Sequence, residues 1–79
     1  MKIPRSISGA ELVKLLARLG YEKTGQNGSH IKVTTAQNGQ HHLAIPNHNP
    51  IKIGTLNSII RQTADHFGKT KSEIAAILF

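Results

Sequence analysis

The hydrophobic spacing of the chain changes twice. Apolar residues recur first at Leu12, Leu15, Leu16 and Leu19, with Val13 widening the stripe, which is the one-sided pattern of an amphipathic helix. Ser8-Gly9-Ala10-Glu11 precedes it in S-x-x-E form, where the serine and the glutamate each satisfy an unpaired backbone N–H. Lys14 and Arg18 lie four apart on the other side, and Gly20 is a natural stop. The spacing predicts a helix from about Gly9 to Leu19.

The period then shortens to two. Asn27-Gly28 is a strong hairpin signal, because both residues tolerate positive φ at the centre of a two-residue turn. After it, Ile31 and Val33 alternate with His30 and Lys32, so the apolar pair points to a core and the polar pair away from it. A strand is predicted over Ser29 to Thr35, preceded by an edge-like strand over Tyr21 to Gln26. Asn38-Gly39 marks another turn, and His41 to Pro46 forms a third strand with Leu43 and Ile45 inward and Pro46 at its end or edge. An irregular stretch containing Pro50 follows. Helical spacing returns from Gly54-Thr55, with Leu56, Ile59, Ile60 and Phe67 on one face, Thr63 and Ala64 filling it, and Gly68 as the stop. Thr70-Lys71-Ser72-Glu73 is a second capping box, opening a short terminal helix with Ile74, Ile77 and Leu78 apolar.

This order, α-β-β-β-α plus a short helix, predicts an α+β fold in which a three-stranded antiparallel meander carries both main helices on one face and leaves the other in solvent. By parity, His30, Lys32 and Thr34 face the open side together with His42 and Ala44. The parity of the first strand is not legible, and a slip at either turn would change the neighbours of His30.

At 79 residues the chain is expected to be one domain, 1–79, that buries only roughly 60–65% of its unfolded surface. It has no cysteine, which removes disulfides, thiolate metal sites and a cysteine nucleophile. No apolar run approaches membrane-spanning length, and Met1-Lys2-Ile3-Pro4-Arg5 lacks the features of a signal peptide, so a cytoplasmic protein without membrane contact is expected. Ten Lys and Arg stand against four Asp and Glu, a net charge of +6 with histidine neutral. Such a field favours nucleic acid or an acidic protein, although it also serves solubility alone. The charges are scattered, so any patch must be assembled by the fold.

Several segments, in order, resemble one family: Ser-Gly-x-Glu-Leu at Ser8–Leu12, Leu-Gly-Tyr at Leu19–Tyr21, Gly-Ser-His at Gly28–His30, Ile-Pro-x-His at Ile45–His48, and Gly-Thr-Leu-x-x-Ile-x-Arg-Gln at Gly54–Gln62. The chain resembles the HicA-type toxins, small mRNA interferases with a double-stranded-RNA-binding-domain-like fold. The resemblance implies an endoribonuclease acting on mRNA within a type II toxin–antitoxin pair. It implies that His30, the histidine of Gly-Ser-His, is catalytic. It also implies a HicB-type antitoxin, expected to be acidic, that covers the active site.

The residue chemistry is compatible with that implication. RNA breaks when its 2′-OH is deprotonated and the leaving 5′-oxygen protonated, and an imidazole, titrating near pH 6.5, can do either without a metal. His30 is the candidate, against the alternatives of an inert surface histidine or one packed on the turn. Asn27 and Gly28 are expected to shape the turn that supports it. Lys32, two residues on, could hold the scissile phosphate or stabilise its developing charge, or be a solvated lysine. Ser29 and Lys23 are further candidate RNA contacts, Ser29 with an alternative role inside the turn. His48 could be a second acid or base or could lock its loop. His41 and His42 are adjacent and face opposite sides, leaving His42 the better placed to join His30. His66 is expected to be exposed near the end of its helix, beside the favourable dipole. No histidine or acidic spacing supports a metal site, and no cofactor is expected. With one Tyr, two Phe and no Trp, RNA contact should rest on phosphates and 2′-hydroxyls rather than on stacking. The reading from a different class is a non-catalytic RNA-binding module of the same fold, with a protein-only adaptor as a third.

Overall fold

The computed structural model describes residues 3–79. Helix α1 spans Gly9–Leu16 and is followed by a 3₁₀ turn at Ala17–Leu19; strands β1 (Glu22–Asn27), β2 (His30–Thr35) and β3 (His41–Pro46) come next, then α2 (Ile53–Phe67) and α3 (Lys71–Leu78). The two capping boxes form as expected: Ser8 and Thr70 each accept from the backbone N–H three residues on, while Glu11 and Glu73 reach back to the cap N–H. These hydrogen bonds hold both carboxyls below the usual glutamate range. The helix expected to run unbroken to Leu19 instead tightens in its last turn, and Gly20 closes it at φ +82°. Gly68 ends α2 in the same left-handed region, at φ +62°.

The sheet has the order β1-β2-β3, antiparallel throughout. The α+β class, with a three-stranded meander under helices, is that of the double-stranded-RNA-binding-domain-like architecture. Ile31 and Val33 of β2 and Leu43 and Ile45 of β3 point inward, where they meet Leu12 and Leu16 of α1 and Leu56, Ile59 and Ile60 of α2 in one buried cluster. Helix α3 closes the cluster with Ile74 and Leu78. Removing one of these side chains, as in Leu56→Ala, costs about 2–5 kcal/mol, since the surrounding core relaxes only partly.

Two local expectations are corrected. The β1–β2 turn is centred on Gly28-Ser29, not on Asn27-Gly28, because Asn27 already pairs with His30 across the ladder. Gly28 supplies the positive φ, +60°, while Asn27 stays in the strand. The first strand begins at Glu22 instead of Tyr21, whose side chain turns into the core and is 1% exposed. The parity of β1 was illegible for a physical reason: the register shifts between Lys23 and Gly25, leaving Thr24 as the extra residue of a bulge.

Candidate active site on the open sheet face

His30 is the first residue of β2, fixed by pairing on both sides, with Asn27 on β1 and Pro46 on β3. The Ser29 carbonyl extends that ladder by accepting from the Asn47 N–H at 2.6 Å. The Gly9 N–H, at the start of α1, donates to the His48 carbonyl at 2.9 Å. The end of the sheet that carries His30 is therefore pinned to a helix start, although His30 itself is exposed. A site on a rigid element holds a reacting group more closely than a free loop does.

Lys32 is exposed on the same face, and its cross-strand partners are Gly25 on β1 and Ala44 on β3. The smallest residues of each neighbouring strand thus flank it, and a shallow groove of about 490 Å³ opens there. His30, Lys32 and His42 line this groove with Gly25, Asn27 and Ala44. Gly25 was not singled out in the sequence, because a glycine in a polar segment carries no chemistry of its own. Its role appears only once the bulge sets it beside Lys32.

The remaining candidates separate. Ser29 and His48 lie at the His30 end of the sheet, joined through Asn47, and both are exposed. The locking interaction of the His48 segment is made by its backbone carbonyl, which leaves the imidazole in solvent. Lys23 is not brought to the groove: it pairs with Val33, whose side chain faces the core, and its Nζ donates to Gln26 Oε1 at 3.0 Å. Asn27 and Gly28 form the support anticipated for His30, the first by pairing with it and the second by turning the chain.

The other histidines divide as their parity requires. His42 is on the open face, its Nδ1 at 2.7 Å from Thr34 Oγ1. His41 turns the other way and is half-buried. Burial, then the nearby His66 and His42, hold its pKa below the usual 6.5. Burial also pushes the Tyr21 phenol up, and its hydroxyl is hydrogen-bonded to His41 Nδ1 at 2.8 Å. His66, expected to be exposed, instead stacks on His41 with ring centroids 4.4 Å apart, and its Nε2 meets the Gln37 carbonyl at 2.9 Å. The Asn38 amide donates to the His66 carbonyl at 2.8 Å, so this pair fastens the β2–β3 turn to the end of α2.

A larger recess, about 1090 Å³, lies between residues 3–7, α1 and α3. Its lining holds no histidine, and Arg18, one of its cations, already donates to the Ile77 and Leu78 carbonyls. Size alone does not make it the reacting site. The groove beside His30 combines an exposed imidazole with an exposed ammonium, which can move a proton and steady a phosphate.

A family model described as the HicA toxin of bacterial toxin-antitoxin matches residues 9–64. No curated protein and no solved structure matched the chain. The matched segment runs from the first residue of α1 into the last turns of α2, and it contains the whole sheet and every residue lining the His30 groove. The chain belongs to the HicA toxin family of bacterial toxin-antitoxin systems.

Proposed function

We propose that this toxin is a metal-independent endoribonuclease that cleaves mRNA, with His30 as its catalytic residue and a HicB-type antitoxin as its inhibitor. The observation that carries the reading is the shared groove: an exposed imidazole on a strand end braced by α1, beside a lysine flanked by Gly25 and Ala44. His30 accepts the 2′-OH proton, the 2′-oxygen bonds to phosphorus, and the bond from phosphorus to the 5′-oxygen breaks. The products are a 2′,3′-cyclic phosphate and a 5′-hydroxyl that takes its proton from solvent. The Lys32 ammonium stabilises the charge that builds on the phosphate oxygens. Ser29 and His48, at the same end of the sheet, extend the contact along the RNA. Lys23, on the edge strand, adds long-range attraction only. The net charge of +6 favours both RNA and an acidic antitoxin laid over the open face.

The test is incubation of the pure protein with RNA in EDTA, beside His30→Ala. Cleavage by the wild type and none by a folded His30→Ala protein is the expected result. RNA bound but left whole by the wild type identifies a binding module, and activity that returns only with added Zn²⁺ or Mg²⁺ excludes this mechanism.

A further inference from the structure

The open face carries a second imidazole with its own support. The Nδ1 of His42 lies 2.7 Å from Thr34 Oγ1, and Thr34 Oγ1 lies 3.0 Å from Thr24 Oγ1. Thr24 is the bulge residue of β1, so the register shift is what brings its hydroxyl next to Thr34. A row of three side chains, one from each strand, therefore ends on an exposed imidazole. With Nδ1 engaged, Nε2 is the nitrogen left to meet a ligand.

Thr34 can serve either form of the ring. A hydroxyl both donates and accepts, so it can donate to Nδ1 of a neutral ring carrying its proton on Nε2, or accept from Nδ1–H of an imidazolium. The last link, Thr24 Oγ1 to the Lys32 carbonyl, is 3.5 Å and too long to dictate the direction of the chain. A neutral ring can also carry its proton on Nδ1 and donate it to Thr34, which leaves Nε2 without a hydrogen; in the other two arrangements Nε2 presents an N–H, the group a phosphate oxygen accepts from, so an approaching phosphate selects those two.

His42 is not placed to share the phosphate that His30 attacks. Thr34 pairs with His42 and His30 pairs with Pro46, so the two histidines are offset by four residues of strand. At roughly 3.3 Å per residue this is about 13 Å, whereas proton transfer needs a heavy-atom separation of about 3 Å. Lys32 lies between them in the groove.

Given the ribonuclease reading, we propose that His42, oriented by the Thr34 and Thr24 hydroxyls, is an RNA-binding residue that donates from Nε2 to a phosphate other than the scissile one, further along the same strand. The charged and titratable groups around it are Lys32 and His30 on β2, Glu22 opposite Thr34 on β1, and His41, its neighbour on β3 turned to the other side. Lys32 and His30 favour an anion on this face, and Glu22, one strand removed, limits where the RNA passes.

The experiment measures binding of single-stranded RNA by the His30→Ala protein, with and without His42→Ala. Cleavage by the wild type is followed in parallel. The expected result is a roughly three- to tenfold loss of affinity with His42→Ala, as for one ordinary, solvent-exposed hydrogen bond. Thr34→Val should weaken binding in the same direction and Thr34→Ser should restore it, which separates an oriented contact from general charge. An unchanged affinity on removing His42, in a protein whose wild type cleaves RNA, overturns this inference alone. Wild-type binding without cleavage, with the His42 effects intact, overturns the catalytic reading and keeps the contact. No RNA binding by the wild type overturns both.

Discussion

Gly9 packs its Cα against the Pro46 carbonyl, and a Cβ at that position would run into the oxygen. The contact joins the first residue of α1 to the strand residue that pairs with His30. The neighbouring bond from the Gly9 N–H to the His48 carbonyl, 2.9 Å, leaves the helix start little room to withdraw.

Gly9→Ala should therefore destabilise the fold, although alanine is the better helix former. Overpacking against backbone costs about 1–3 kcal/mol. Urea unfolding of the two proteins checks this, and an unchanged midpoint would show that the helix start can move aside.

Gly25→Val should separate stability from activity. A Cβ built at Gly25 meets nothing within 4 Å, and valine suits a strand better than glycine. The variant should fold at least as stably as the wild type. It should also cleave RNA more slowly, because the added side chain narrows the groove beside Lys32. Melting temperature and cleavage rate, measured together, decide the matter; full activity would remove Gly25 from the substrate path.

Stability should fall as pH drops below about 6.5, and His41 should be one cause. Its folded pKa lies below the usual 6.5 that it regains on unfolding. The unfolded chain therefore binds the proton first. The His41 contribution is fully present above pH 6.5 and is lost as pH drops toward the lowered folded value. Glu11 and Glu73, also lowered, act in the same direction only below their usual 4.5, so they do not blur this window. Urea midpoints at pH 7.5, 6.5 and 5.5 should show a smaller decline for His41→Gln than for the wild type. Equal declines would assign the effect elsewhere.

Lys32→Glu should weaken RNA binding and slow association with the antitoxin, if both partners use the open face. A charge reversal acts on the on-rate through the long-range field, so the loss should diminish at high salt. RNA affinity and antitoxin association rate are measured on the same variant. An antitoxin on-rate that does not change while RNA binding collapses would place the antitoxin on another surface.

Much of this molecule is local and was legible in the chain. The Leu12–Leu19 stripe, the Ser8 and Thr70 capping boxes and the alternation through Ile31, Val33, Leu43 and Ile45 depend on neighbours a few residues away, and each took its expected place. His30 and Lys32 were assigned to the open face by parity alone, which holds wherever one side of a strand is buried.

Tertiary structure decided the rest. Thr24, Gly25 and Lys23 could not be assigned from a polar strand, because a bulge alters parity and only the partner strand reveals it. Tyr21 and His66 were misjudged for a related reason: one entered the core and the other stacked on His41, both through partners about 20 or more residues away. The chain thus determined which residues could be reactive and on which face they stand. The groove beside Lys32 and the hydroxyl row behind His42 arise from register between strands, a relation between segments that no single segment contains.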